Sequence, residues 1–160
     1  MGQKIHIAKD VVVSFTGSVV FSDFLSHIRS WCKEYGYSVI LEESYEEKEK
    51  GDVKSVTIKW KFDKKIDDYH QFSWKLKIAL EDYRQGLTEG KKVEQGTLQL
   101  LINADLERDF ENKWQKKPWQ TLFRGFVDRF VRSEKEDVIS SVLRKETEEF
   151  QFSVKKFLGI

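Results

Sequence analysis

The chain holds one cysteine, one proline and one methionine in 160 residues, and its formal net charge is only +1. A single thiol, Cys32, excludes an internal disulfide framework and a Cys-rich zinc site. It also fits a reducing compartment. The balance of 28 Lys+Arg against 27 Asp+Glu argues against a general polyanion binder, which carries a basic excess. Apolar runs near the start stop at the length of Val11–Val13, far below the roughly 20 residues of a membrane helix. The opening residues hold no apolar signal core, and His6 stands where a myristoylation motif requires Ser or Thr. These absences lead to the expectation of a soluble, cytoplasmic protein.

What is present is a core. Hydrophobic residues make up 39% of the chain and aromatic residues 14%, with 34% charged. That composition is too apolar for a disordered chain and suits one domain over residues 1–160. No internal repeat and no linker rich in Pro, Gly or Ser divides it.

The pattern of apolar residues separates strands from helices. Ile5, Ile7, Val11, Val13, Phe15, Val19 and Phe21 all fall on odd positions, which predicts a long or broken strand over Lys4–Phe21, with Gly17 as the expected bulge or bend. Ser22 then offers an N-cap, and Phe24, Ile28, Trp31 and Tyr35 line one face of a helix over Asp23–Tyr35 that Gly36 stops. Cys32 reads as a small core residue beside Trp31.

Four alternating segments follow. They are Tyr37, Val39 and Leu41; Val56, Ile58, Trp60 and Phe62; Phe72, Trp74, Leu76, Ile78 and Leu80; and Leu98, Leu100, Ile102, Ala104 and Leu106. Short connections at Gly51, at Asp67-Asp68 and at Gly86 with Gly90 predict antiparallel neighbours, and the acidic stretch Glu42–Lys50 reads as a charged hairpin region. Beyond Pro118 the spacing turns helical. Ser133-x-x-Glu136 has the form of a capping box, so a break or new start is expected there within up to about 40 helical residues.

The element order is therefore β-α-β4-α in an α+β domain. This order resembles the helix-grip folds, the Bet v 1/START-like proteins and the repeat of TATA-binding protein, in which a curved antiparallel sheet packs against a long C-terminal helix. START-like domains carry more strands and a second short helix after the first strand. The stretch Gly96-Thr-Leu-Gln-Leu through Asp109-Phe110, Lys113-Trp114 and Pro118 is similar to a segment of uncharacterised archaeal proteins.

Two surfaces are candidates for function. The apolar sheet face, with Trp60, Phe62, Phe72 and Trp74 opposed by Phe123, Phe126 and Phe130 of the last helix, reads either as a solid core or as a pocket. The resemblance implies the pocket, with a hydrophobic small molecule or lipid held between sheet and helix. A pocket predicts a void of a few hundred Å3 beneath Trp60 and Trp74.

The wet face gathers Lys59, Lys61, Lys75 and Lys77, together with Thr57, Gln71, Ser73, Thr97 and Gln99. Four ammonium groups on a flat sheet suit an anionic partner, either RNA or a protein assembly. The face holds no aromatic for base stacking and no arginine for bidentate base reading. Lysines also guard exposed strands.

No catalytic constellation, metal spacing or cofactor motif emerges. His6, His27 and His70 are scattered, and Asp67, Asp68 and His70 read as a turn. Glu43, Tyr45, Asp82 and Glu94 fall on the inward register near strand ends, where they either rim a cavity or reach water. The expectation is a non-catalytic binding domain, carrying either a ligand pocket or a lysine-faced interaction surface.

Overall fold

The computed structural model describes residues 3–37, 40–108 and 133–160. Its elements are β1 (Gln3–Val19), α1 (Phe21–Glu34), β2 (Ile40–Lys50), β3 (Val53–Lys65), β4 (His70–Thr88), β5 (Lys91–Arg108) and α2 (Ser133–Leu158). All strand pairs are antiparallel, and the open sheet runs in the order β1-β5-β4-β3-β2. The domain is α+β, with the two described helices on one face of the sheet.

The alternation on β3, β4 and β5 sets that face. In register, Val56 lies beside Leu80 and Leu98, Ile58 beside Ile78 and Leu100, and Trp60 beside Leu76 and Ile102. Phe62 lies beside Trp74, which in turn lies beside Ala104. All twelve are buried, because a period of two puts every second side chain on the covered side. Ala104 is the smallest of them and leaves room for the Trp74 ring.

Against this face α1 buries Phe24, Ile28, Trp31 and Cys32. On α2, Glu136, Ile139, Leu143, Thr147, Phe150, Val154 and Leu158 are buried at spacings of three and four, the inward stripe of a helix. Sheet and helices meet at Trp74, whose ring centroid lies 5.5 Å from those of Trp31, Phe62 and Phe150.

Helix α1 ends as its sequence predicts. Gly36 has φ +88°, the Tyr37 N–H donates to the Cys32 carbonyl at 2.8 Å, and the Gly36 N–H donates to the Lys33 carbonyl at 3.2 Å. This is a Schellman stop. Its start differs. The N-cap is Val20, with no side-chain cap, and not Ser22. The carboxylate of Glu94 on β5 accepts the Phe21 N–H at 3.0 Å instead, so a strand supplies the anion that a helix N-terminus favours.

The strands also depart from the expected pattern. Gly17 pairs in register with Gly96, and the irregularities of β1 lie between His6 and Val11, where Asp10 has φ +53°. The acidic stretch Glu42–Lys50 is strand β2 itself, and the turn follows it at Gly51-Asp52. Leu41 faces out at 58% exposure, opposite Lys61 and not in the core. Tyr37 is buried ahead of β2, and Val39 lies outside the described residues. Gly86 is part of β4, whose hairpin turns at Glu89-Gly90.

Helix α2 runs unbroken from Ser133 to Leu158. The side chain of Ser133 and the whole stretch 109–132, with Pro118, lie outside the described residues.

Candidate functional site

The outer sheet face carries the four lysines as a block. Lys59 is the direct cross-strand neighbour of Lys77, and Lys61 of Lys75. Direct neighbours stand about 5 Å apart, and residues two apart on one strand about 7 Å apart, so the four stems leave a patch of that size. Lys59, Lys75 and Lys77 are exposed and Lys61 is half-buried.

None of the four makes an ion pair among the described residues. The lysines that do are Lys54, Lys64, Lys65, Lys91 and Lys135. Like charges directly opposite on a sheet repel, and no ion pair among the described residues offsets it here. The two described helices pack on the other face.

The surroundings of the block are sorted along the strands. Beside Lys75 and Lys77 on β5 lie Asn103 and Leu101, and Leu101 faces Val12 of β1. A hollow of about 140 Å3 opens beside Lys77 between Val12, Ala79, Gln99 and Leu101. Toward one end, Asp63, Ser73 and Asp105 form the next row, and Asp105 takes His6 Nδ1 at 2.6 Å. Toward the other, Glu46, Glu81 and Asp82 rim a polar hollow of about 250 Å3 with Lys48. The lysine block is thus flanked at one end by Asp63 and the buried Asp105, and at the other by Glu46, Glu81 and Asp82.

The aromatic residues proposed to line a pocket are packed on other side chains. Trp60, Phe62, Phe72 and Trp74 are each at most 1% exposed. The Phe62 and Trp74 rings stack at 5.5 Å. Trp60 donates its indole N–H to Glu42 at 3.3 Å and lies 4.8 Å beneath the Arg29 guanidinium. The Lys64 ammonium sits 5.4 Å from the Phe72 ring centre. Phe123, Phe126 and Phe130 lie outside the described residues. The larger hollows are lined by other side chains. One, of about 520 Å3, is an open groove between α1 and α2 lined by Trp31, Tyr35 and Phe152 among others. Another, of about 460 Å3, lies by Arg29, Lys33, Tyr37 and Ile40.

The sequence gives little sign of a buried polar cluster at the β3–β4 turn. Asp67 accepts the backbone N–H groups of Tyr69 at 2.8 Å and His70 at 2.7 Å, as a turn aspartate does. His70 is wholly enclosed, with Nδ1 at 3.1 Å from Asp67 and Nε2 at 3.1 Å from Glu136. Arg108 donates to the second Glu136 oxygen at 2.5 Å. Lys135 pairs with Asp67 at 3.0 Å.

Glu136 thus meets His70 and Arg108 with its two oxygens, and the Ser133 side chain of the expected capping box lies outside the described residues. Burial alone would raise the Asp67 carboxyl. The two backbone donors, the Lys135 ammonium and the His70 ring outweigh it and hold the group well below the usual carboxylate range. With His70 sealed from solvent, the cluster ties α2 to the sheet.

A second tie lies along α2. Lys64 points inward on the core side of β3 and donates to Glu146 at 2.6 Å and to the Tyr35 carbonyl at 2.9 Å. Tyr37 donates to the other Glu146 oxygen at 2.7 Å. Burial first, and then the Glu146 carboxylate, raise the Tyr37 phenol far above its ordinary value. Cys32 is pushed up to about 12 by burial, against a smaller opposing backbone hydrogen bond, which keeps it a protonated core residue.

Of the strand-end residues, Glu94 serves α1. Asp82 sits exposed in a bulge with φ +51°, and Tyr45 is about half exposed on the edge strand. No group of His, Cys, Asp and Glu suited to hold a metal ion occurs among the described residues. No helix among them is long and apolar enough to cross a membrane. Comparison with protein-family models, curated proteins and solved structures finds no match to this chain.

Proposed function

We propose that the protein is a non-catalytic binding domain that meets an anionic partner on the outer sheet face, through Lys59, Lys61, Lys75 and Lys77. The observation that carries the reading is the block of two cross-strand lysine pairs that make no ion pair among the described residues. A sheet that carries this repulsion gains when a partner brings anions into direct contact with the ammonium groups. The face has neither stacking ring nor arginine, so recognition is by charge and shape and not by base identity. The exposed carboxylates around Glu46, Glu81 and Asp82 bound the partner's site at one end of the strands. The polar clusters elsewhere bind helix to sheet, which favours a binding role over catalysis.

The element order supports placing the domain among helix-grip folds. The reading of a hydrophobic or lipid ligand between sheet and helix has less support, because its described lining residues are filled by each other and by neighbouring side chains.

The test is titration with single-stranded RNA, and separately with an acidic peptide, between about 50 and 200 mM salt. Replacing all four lysines by Gln should leave stability within about 1 kcal/mol of the parent. For RNA the log–log salt slope should flatten by about 3, at roughly 0.7 for each lost contact. If neither probe binds the parent, or if the variant binds as tightly with the same slope, the face is not the site.

A further inference from the structure

We propose that the outward strip of α2 is a docking surface for a second copy of this chain, forming an antiparallel two-fold dimer. The side of α2 away from the sheet is not polar throughout. Val138 is 64% exposed, Val142 46% and Phe152 69%. With Lys145, Glu149 and Lys156 these residues recur at spacings of three and four, so they form one strip about 27 Å long, at 1.5 Å per residue.

The strip is self-complementary about the level of Thr147, whose own side chain is buried inward. Residues equally far before and after that level are Lys145 and Glu149, Val142 and Phe152, and Val138 and Lys156. A two-fold axis through this level, perpendicular to the helix, reverses both height and lateral offset. On a helix, residues equally spaced about one position have equal and opposite offsets. Each member of a pair therefore meets the other member on the second copy, as an isologous contact requires.

Lys145 then meets Glu149 of the second copy twice, once on each side of the axis. Phe152 of each copy falls on Val142 of the other, on the shallow, open apolar patch that Val138, Ser141 and Val142 form. Glu149 is already oriented, since one of its oxygens accepts the Tyr35 hydroxyl at 2.7 Å and leaves the other available. Lys145 has no ion-pair partner among the described residues. The contact joins the helical layers, so the lysine faces lie outermost and point in opposite directions.

A single helix pair is a small interface, and association in the range of about tens of micromolar is expected. The experiment is sedimentation equilibrium of the full chain over a concentration series. The parent should pass from monomer to dimer. Lys145→Glu and Glu149→Lys should each weaken self-association at least tenfold, because each turns both cross-axis pairs into repulsions. Mixing these two variants should restore association as a heterodimer, in which both pairs are attractive again. Phe152→Asp, at an exposed position, should abolish dimerisation and leave the unfolding curve unchanged. A parent that stays monomeric to about 1 mM overturns the proposal. So does a dimer indifferent to Lys145→Glu and Phe152→Asp, which tests the strip even if Glu149→Lys loses stability with its Tyr35 bond.

Discussion

Replacing Trp74 by Ala tests whether one aromatic centre joins the sheet to both described helices. Trp74 is fully buried mid-strand. Four rings surround it, those of Phe62 and Tyr37, of Trp31 on α1 and of Phe150 on α2, with centroids 5.5 to 5.7 Å away. A buried Trp removes about 200 Å2 or more from water, worth about 5 kcal/mol at 25 cal/mol per Å2. The hole left by Ala is walled by large rings on three separate elements, which cannot all close in. The loss should therefore sit in the upper part of the usual 3–5 kcal/mol for Trp→Ala.

Trp74→Phe separates packing from the polar atom. The buried indole Nε1 faces the Tyr37 oxygen outside ideal hydrogen-bond geometry. Trp74→Phe removes this weak polar contact and opens a smaller hole, so a net loss of about 1–2 kcal/mol is expected. Urea unfolding followed by far-ultraviolet circular dichroism measures both, because the variants alter fluorescence directly. If the Ala variant is too unstable to fold, the Phe variant still reads the site. A loss below about 1 kcal/mol for Trp74→Ala would refute the convergence of sheet and helices on this ring.

Two further outcomes follow from the turn cluster and the sheet. The folded-state pKa of Asp67 lies below its unfolded value, so its stabilising contribution is complete above about pH 5 and is lost as pH falls through 4 and below. Asp67→Asn should cost about 1–3 kcal/mol at pH 7, and its gap to the parent should narrow near pH 3; a gap equal at both pH values in urea unfolding would contradict the charged network. Gly96→Ala would place a Cβ 2.8 Å from the Glu81 carbonyl oxygen and 2.8 Å from Tyr83 Cα, where β4 bulges between Glu81 and Arg84. A cost of about 1–3 kcal/mol is expected in thermal melts, and an unchanged melting temperature would show that the bulge yields freely.

Several features follow from short-range pattern alone. The alternation in Val56–Phe62, Phe72–Leu80 and Leu98–Leu106 names the buried face of three strands, because strand geometry repeats every two residues whatever lies nearby. The spacing of Phe24, Ile28 and Trp31 and the stop at Gly36 name the buried face and end of α1 in the same way. The two pairs among Lys59, Lys61, Lys75 and Lys77 follow from that alternation once the turn at Asp67-Asp68 sets the register.

What only the tertiary structure decided involves partners far apart in the chain or shifts of one residue. His70 and Glu136 are 66 positions apart, Lys64 and Glu146 are 82 apart, and Phe21 and Glu94 are 73 apart. Each side chain alone looks like a surface charge or a cap. Its role depends on where a helix comes to rest on a sheet, which no local period encodes. Leu41 shows the second kind. An irregularity between Glu42 and Ser44 changes the phase of β2, and one residue of slip turns an apolar side chain from the core to the solvent.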